Sequence, residues 1–469
     1  MMARRNALSS CTFFKDRVKI VIFTYNIMNI YESFFTYVLP ALYAITLIYL
    51  SAVSFKKHGV SFKSVGMLFL VFTHFFGYIS LPFRVGAKVS SAEYMPYQYI
   101  NDVSTLSFIG IVLFYVFSHT AAGRNKITFS DKYFIGSPKL FVRTTLFLSF
   151  VGMMAFYAIN GISFNSDDYA LKLGGNAGSG VIIMIMSSFV SAVIVYAITS
   201  DDKYVFVKSI IMSLLFGMAY YVLIGGSRNV MFSAMFIVAL ICHSRGLIGI
   251  LKLICIGSAC LILIGIMAIV RYSDVDISES GSLFGIIVRY LADSVSPINY
   301  QSIAVKYFSN DRNVGGIYYF FTQFSGFIPR FIWPDKPIVT MNSSYYFTVS
   351  ALGLSNGLNM ASTLLGSSLV IFGKYFFWCS YVISGVVFRF LDKIILMRRV
   401  GVIQIAALMT MPFSFFMARE SLEFFLFIFL KNIITVSFVY FSYKAIYYIL
   451  PKKKTARDKR AEISFILHV

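Results

Sequence analysis

The sequence predicts an all-α polytopic membrane protein with about 11 or 12 transmembrane helices and one long outer loop carrying short interfacial helices. Three observations predict it. Of the 469 residues, 58% are hydrophobic and 18% aromatic, with a mean hydropathy of +0.76. No single aqueous core buries that much apolar surface. Apolar runs of about 20 residues recur along the chain, each long enough to cross roughly 30 Å of hydrocarbon as a helix. Finally, the balance of charge alternates from one connection to the next.

Spans are expected near 34–54, 64–83, 102–119, 141–159, 178–199, 205–224, 230–243, 250–270, 375–391, 401–418 and 422–449. The connections 55–63, 120–143, 200–208, 244–252, 389–399 and the tail after 450 hold 22 Lys/Arg against 6 Asp/Glu. Those at 84–102, 160–177, 225–229, 271–362 and 419–423 hold 11 against 12. Basic connections mark the cytoplasm, so the first set lies inside. The formal charge of +21 is then an orientation signal, and no nucleic-acid partner is expected. The tail PKKKTARDKR is a positive stop behind the last helix, and it can also touch anionic head groups of membrane lipids.

Parity places the N-terminus outside, whereas Arg4, Arg5, Lys15, Arg17 and Lys19 argue for inside. A further crossing through IVIFTYNIMNIY (20–31) or an interfacial helix reconciles the two. The chain thus divides into an N-terminal segment 1–33, eight transmembrane helices in 34–270, the long outer loop 271–374, the last transmembrane helices in 375–449 and a cytoplasmic tail 450–469. No cleavable signal peptide is expected, and no internal repeat marks a duplicated transporter.

The excursion 271–362 holds six basic and six acidic residues, and a loop of that length is functional or carries structure of its own. LFGIIVRYLA (283–292) reads as a helix lying at the membrane surface. TLLGSSLVIF (363–372) is too short to span and reads as a re-entrant segment. Two tight outer connections, IGGSRN (224–229) and MARESLE (417–423), place Arg228, Arg419, Glu420 and Glu423 at membrane depth. Charges there pair with each other or line a wet site; snorkelling to head groups is the competing reading for the two arginines.

Five scattered cysteines show no metal spacing and read as small core residues. None of the five histidines lies on an outer loop, so a proton acceptor at that surface is a carboxylate or belongs to the substrate. The pair Asp167–Asp168 reads as a solvated loop, and no metal site is expected. Lys374 and Lys431 lie in or beside apolar runs, where helix-end snorkelling or pairing with Glu423 accounts for them. Arginine offers bidentate, permanently charged contacts to phosphate oxygens. Arginines beside aromatics at the outer interface therefore suit a lipid pyrophosphate bearing sugars.

Several motifs, in order, carry a resemblance: LIGGSRNV, LADSVSP (291–297), FIPRFIWPDKP, MNSSYYFT, STLLGS (362–367) and MARESLE. Together they resemble the Wzy-type oligosaccharide repeat-unit polymerases, with the strongest likeness to those of enterobacterial common antigen. The likeness runs from about residue 150 to 425 and implies a GT-C-like inner-membrane glycosyltransferase with its long loop in the periplasm. It implies a substrate of undecaprenyl-pyrophosphate-linked oligosaccharide, a polysaccharide co-polymerase as partner, and no cofactor. The expected catalytic residues are Asp293, Glu420, Arg228 and Arg419. Arg289, Trp333, Lys336, Asn342 and Tyr346 are the expected substrate-binding residues, with Tyr345 a further face for sugar stacking. An O-antigen ligase is the first rival, weakened by the lack of histidine in 271–362; a lipid-linked oligosaccharide flippase is the second.

Overall fold

A computed structural model describes residues 37–78, 99–119, 129, 133–134, 136–161, 178–224, 229–258, 295–328, 332–335, 340–354 and 359–449. The described chain is all-α apart from one two-residue strand pair. The first half contributes α1 (Leu39–His58), α2 (Phe62–Phe75), α3 (Ile100–Phe117), α4 (Pro138–Asn160), α5 (Gly180–Met186), α6 (Phe189–Thr199), α7 (Val205–Ile224) and α8 (Asn229–Ser244). The loop region contributes α9 (Ile298–Phe308), α10 (Tyr318–Thr322), α11 (Ser343–Ser350) and α12 (Thr363–Phe372). The last part contributes α13 (Cys379–Leu396), α14 (Val402–Thr410), α15 (Ser414–Arg419) and α16 (Leu422–Ile449).

Among the described residues, six helices are long and apolar enough to cross a membrane: α1, α4, the α5–α6 unit, α7, the α14–α15 unit and α16. The α5–α6 span is one sequence run broken at Ser187–Ser188, where the Ser187 hydroxyl turns back to the Met184 carbonyl and competes with the helical ladder. The helix α12 is buried almost throughout, packed against protein. The N-terminal crossing and the surface helix over 283–292 lie outside the described residues.

Close helix approach is made possible by small residues, as expected where lipid gives no hydrophobic drive between helices. A Cβ at Gly385 of α13 would sit 3.0 Å from the Phe114 carbonyl of α3, so the two backbones meet there only because the side chain is absent. Nearby, His74 of α2 is fully buried and satisfied: its Nε2 lies 2.9 Å from the Tyr381 hydroxyl and its Nδ1 2.9 Å from the Leu70 carbonyl.

One end of the bundle gathers the basic connections. Tyr133 and Phe134 pair in parallel with Arg399 and Val400. The Ser137 amide donates to the Tyr443 hydroxyl at 2.9 Å, and Gly136, at φ +106°, leaves room for that hydroxyl where a Cβ would lie 2.2 Å from it. Arg245 donates to the carbonyls of Ala197 and Ser200 at 2.6 and 2.9 Å, closing the orphan end of α6. These contacts join the Tyr133–Ser137 stretch to Arg399–Val400 and to Tyr443 of α16, and Arg245 to the end of α6.

The start of α2 shows how such an end is sealed. Asp392 accepts from the amides of Phe62 at 2.6 Å and Lys63 at 3.2 Å, and Ser61 accepts from Ser64 at 3.0 Å. The helical ladder then begins with Val65 donating to the Ser61 carbonyl at 2.9 Å. All three orphan amides are thus satisfied by side chains. The same carboxylate lies beside Lys63, a lysine only 2% exposed whose ammonium sits 3.9 Å over the Tyr115 ring and 3.4 Å from His119 Nδ1.

Two expectations are corrected here. Among the described cysteines, Cys242 is buried, but Cys255 is exposed and Cys379 half-buried; facing lipid satisfies a thiol as well as a protein core does. Lys431 does not pair with Glu423. The two stand eight residues apart on one helix, about 12 Å of rise, beyond the reach of an ion pair.

Asp392→Ala is expected to lower stability by about 1–3 kcal/mol by leaving two buried amides unpaired, with Asp392→Asn retaining part of the contact. Thermal unfolding of the purified protein in detergent measures both.

Candidate active site

The expected site residues fall into two groups. Arg228, Arg289, Asp293 and Lys336 lie outside the described residues. Trp333, Asn342, Tyr346, Arg419 and Glu420 are described, and all but Trp333 belong to one continuous assembly between the loop helices and the start of α16.

The connection Arg419–Glu420–Ser421 is built by ordinary capping. The Glu420 amide closes α15 on the Phe416 carbonyl at 2.7 Å, and Ser421 opens α16 by accepting from the Phe424 amide at 3.3 Å. Glu423 then falls in the first turn of α16, where the helix dipole favours a carboxylate. It is fully buried. Its Oε1 accepts from the Ser343 hydroxyl, while Oε2 has no partner.

Asn342 is the cap of α11. Its Oδ1 accepts from the Tyr345 amide at 2.9 Å and the Asn359 amide group at 3.2 Å, and its Nδ2 donates to Gln323 Oε1 at 2.8 Å. Three segments of the loop therefore meet on one side chain. Tyr346 donates to the Asn313 carbonyl at 3.1 Å, with its ring 4.5 Å from that of Tyr319. Trp333 is 40% exposed, and among the described residues it has no ring contact.

Arg419 and Glu420 remain the open part of the assembly, at 25% and 24% side-chain exposure. The guanidinium approaches Glu420 Oε1 only at 3.8 Å, outside hydrogen-bond range, and its buried Nε has no partner. Burial pushes the Glu420 carboxyl up to about 7, the neighbouring Arg419 pulling down and Glu423 adding to the rise.

Unpartnered buried polar atoms converge on this face. Of fifteen such atoms among the described residues, nine lie between Ser296 and the start of α16, on α9, α11, α12, α15 and their ends. They include the hydroxyls of Ser344, Ser362 and Thr363. Thr363 also has φ +65°, the one non-glycine in the left-handed region among the described residues, a conformation that costs about 1–3 kcal/mol.

Sequence reasoning named Arg419, Glu420 and the Asn342 motif but left Gln323, Ser343, Asn359 and Glu423 out of the site. Glu423 carries a legible signal, a second carboxylate three residues after Glu420. Gln323 and Asn359 carry none, because their partners are distant in the chain. Asn342→Ala is expected to remove about 1 kcal/mol of capping and to orphan Gln323. Hydrogen exchange over 340–360 should rise several-fold while the membrane helices stay protected.

No solved structure matches this chain. Residues 28–464 match the protein family described as WzyE protein, O-antigen assembly polymerase. That match covers most of the chain, including every candidate residue above, so this protein belongs to the WzyE family of O-antigen assembly polymerases.

Proposed function

We propose that the protein polymerises oligosaccharide repeat units carried on undecaprenyl pyrophosphate, at the periplasmic face of the inner membrane. The growing glycan passes from its carrier to the non-reducing-end sugar of a new unit. The motif likeness favours a repeat of the enterobacterial common antigen type. A polysaccharide co-polymerase is the partner, and neither nucleotide sugar nor soluble cofactor takes part.

The observation that supports this reading best is the state of Arg419. The fold leaves its guanidinium nearly unengaged, half-sheltered at a helix junction, beside a carboxyl of raised pKa. A pyrophosphate needs such a donor set, since a permanently charged fork meets two oxygens at once. In the reaction, an acceptor hydroxyl attacks the anomeric carbon of the carrier-linked sugar. The carbon–oxygen bond to pyrophosphate breaks, its electron pair staying on the phosphate oxygen. Arg419, with Arg228 and with Arg289 or Lys336, holds that charge. Glu420 or Asp293 takes the proton of the attacking hydroxyl. Trp333, Tyr345 and the free side of Tyr346 offer ring faces to sugars. Asn342 serves by holding α11 in place, its oxygen and one amide hydrogen already committed within the loop.

The unpartnered buried hydroxyls of α11 and α12 and the strained Thr363 support the same placement, because unsatisfied polar groups and backbone strain concentrate at functional sites. Arg228→Ala and Arg419→Ala in a complemented deletion strain should each leave the surface glycan as single repeat units. Long-chain glycan with either variant removes that arginine from the site. The deletion strain itself separates the rivals: ligase loss leaves the lipid core bare, and flippase loss strands units on the cytoplasmic side.

Glu420 is competent as a proton acceptor only when ionised. With its pKa near 7, turnover of purified enzyme should rise as pH increases through about 7. Glu420→Gln should lower the rate and flatten that rise.

A further inference from the structure

Among the described residues, Lys431 stands in the middle of the longest membrane helix and has no anionic partner. Contacts at its two ends tie α16 to the rest of the chain. At one end the Ser343 hydroxyl reaches Glu423; at the other the Ser137 amide, at the start of α4, meets the Tyr443 hydroxyl. Twenty residues separate these points, which is about 30 Å of helix and the thickness of the hydrocarbon layer. Lys431 falls about 12 Å inside the Glu423 level and about 18 Å from Tyr443. Its side chain leans toward the helix N-terminus, and a lysine stem of roughly 6 Å leaves the ammonium short of the Glu423 level.

Among the described residues, nothing covers the helix face beside it. Leu430, Ile434, Phe438 and Phe441 are all exposed and form a stripe at i, i+4, i+8 and i+11. Lys431 lies half-buried at the edge of that stripe, one turn below Phe427, whose ring packs 4.5 Å from Phe327 of the loop. Among the described residues no ion pair or hydrogen bond engages its ammonium. The Lys431 backbone is ordinary, its carbonyl accepting from Thr435 Oγ1 at 2.9 Å.

We infer that this stripe docks a transmembrane helix of a different protein carrying an Asp or Glu at mid-bilayer depth, and that Lys431 pairs with that carboxylate. Charge complementarity carries the argument. An isolated ammonium within hydrocarbon is unfavourable and is retained where it meets an opposite charge. A second copy of this chain cannot supply that charge: each of its 20 acidic residues lies in a connection or within about a turn of a span end. Lipid phosphates lie at head-group level, above the reach of the side chain. An exposed stripe of large apolar residues gives the partner helix its packing surface, and the lysine gives it register, as single buried polar residues do in helix pairs.

The test uses the full chain in its native membrane with a photo-crosslinking amino acid at Leu430 or Ile434. A protein adduct is expected whose linked peptide is an apolar span containing Asp or Glu. Lys431→Met should cut its yield about tenfold or more, whereas Lys431→Arg should keep it. Lys431→Glu should abolish the adduct, and replacing the partner's carboxylate by lysine should restore it. Methionine is well tolerated in a membrane helix, so loss of the adduct does not reflect misfolding; protection of α16 in hydrogen exchange checks this. The inference is overturned by an adduct indifferent to Lys431→Met, by adducts only with lipid or with a second copy of this chain, or by a linked span without a carboxylate. The crosslink does not depend on glycan synthesis, so its outcome is separate from that of the proposed function.

Discussion

The hydrogen bond from the Ser343 hydroxyl to the Glu423 carboxylate fastens the second half of the long loop to the first turn of α16. Asn342, one residue earlier, gathers Gln323, Asn359 and the start of α11. Two adjacent side chains thus hold the loop to itself and to the membrane helix. The geometry of Arg419 and Glu420 depends on this join, because they occupy the turn that leads into α16. A buried carboxylate makes a strong fastening in a dry setting, where breaking one partner leaves an uncompensated charge.

The opposite end of the bundle solves the same physical problem with different residues. Helix ends near lipid cannot leave amides and carbonyls to water. Asp392 closes α2, Arg245 closes α6, and Ser137 with Tyr443 closes the entry to α4. Most of the polar groups at this end satisfy one another, although Gln404 Oε1 has no partner among the described residues. At the Arg419 end a guanidinium nitrogen, a carboxylate oxygen and a set of hydroxyls are left over. That concentration of unpartnered polar groups is what marks the turn as the candidate site.

The segment FIPRFIWPDKP is conspicuous in sequence, yet of its described residues Ile332 to Asp335 are exposed, apart from the Asn342 hub. Its tryptophan is exposed, whereas Arg419 and Glu420 are half-sheltered. Membership of the O-antigen assembly polymerase family fits a layout in which loop helices fold down onto the mouth of a helical bundle.

By itself the sequence determined the all-α membrane class and the six long apolar helices found among the described residues. Those properties follow from apolar length and charge balance, which are local sums along the chain. It also determined Arg419, Glu420 and the Asn342 motif as residues of interest, since charge at membrane depth is legible without contacts. The tertiary structure alone decided that Asn342 is a hub, that Glu423 bonds Ser343 rather than Lys431, and that Gln323 and Asn359 belong to the same assembly. Those facts rest on pairings across up to 80 residues, and no periodicity or composition encodes which distant polar groups will meet once the helices have packed.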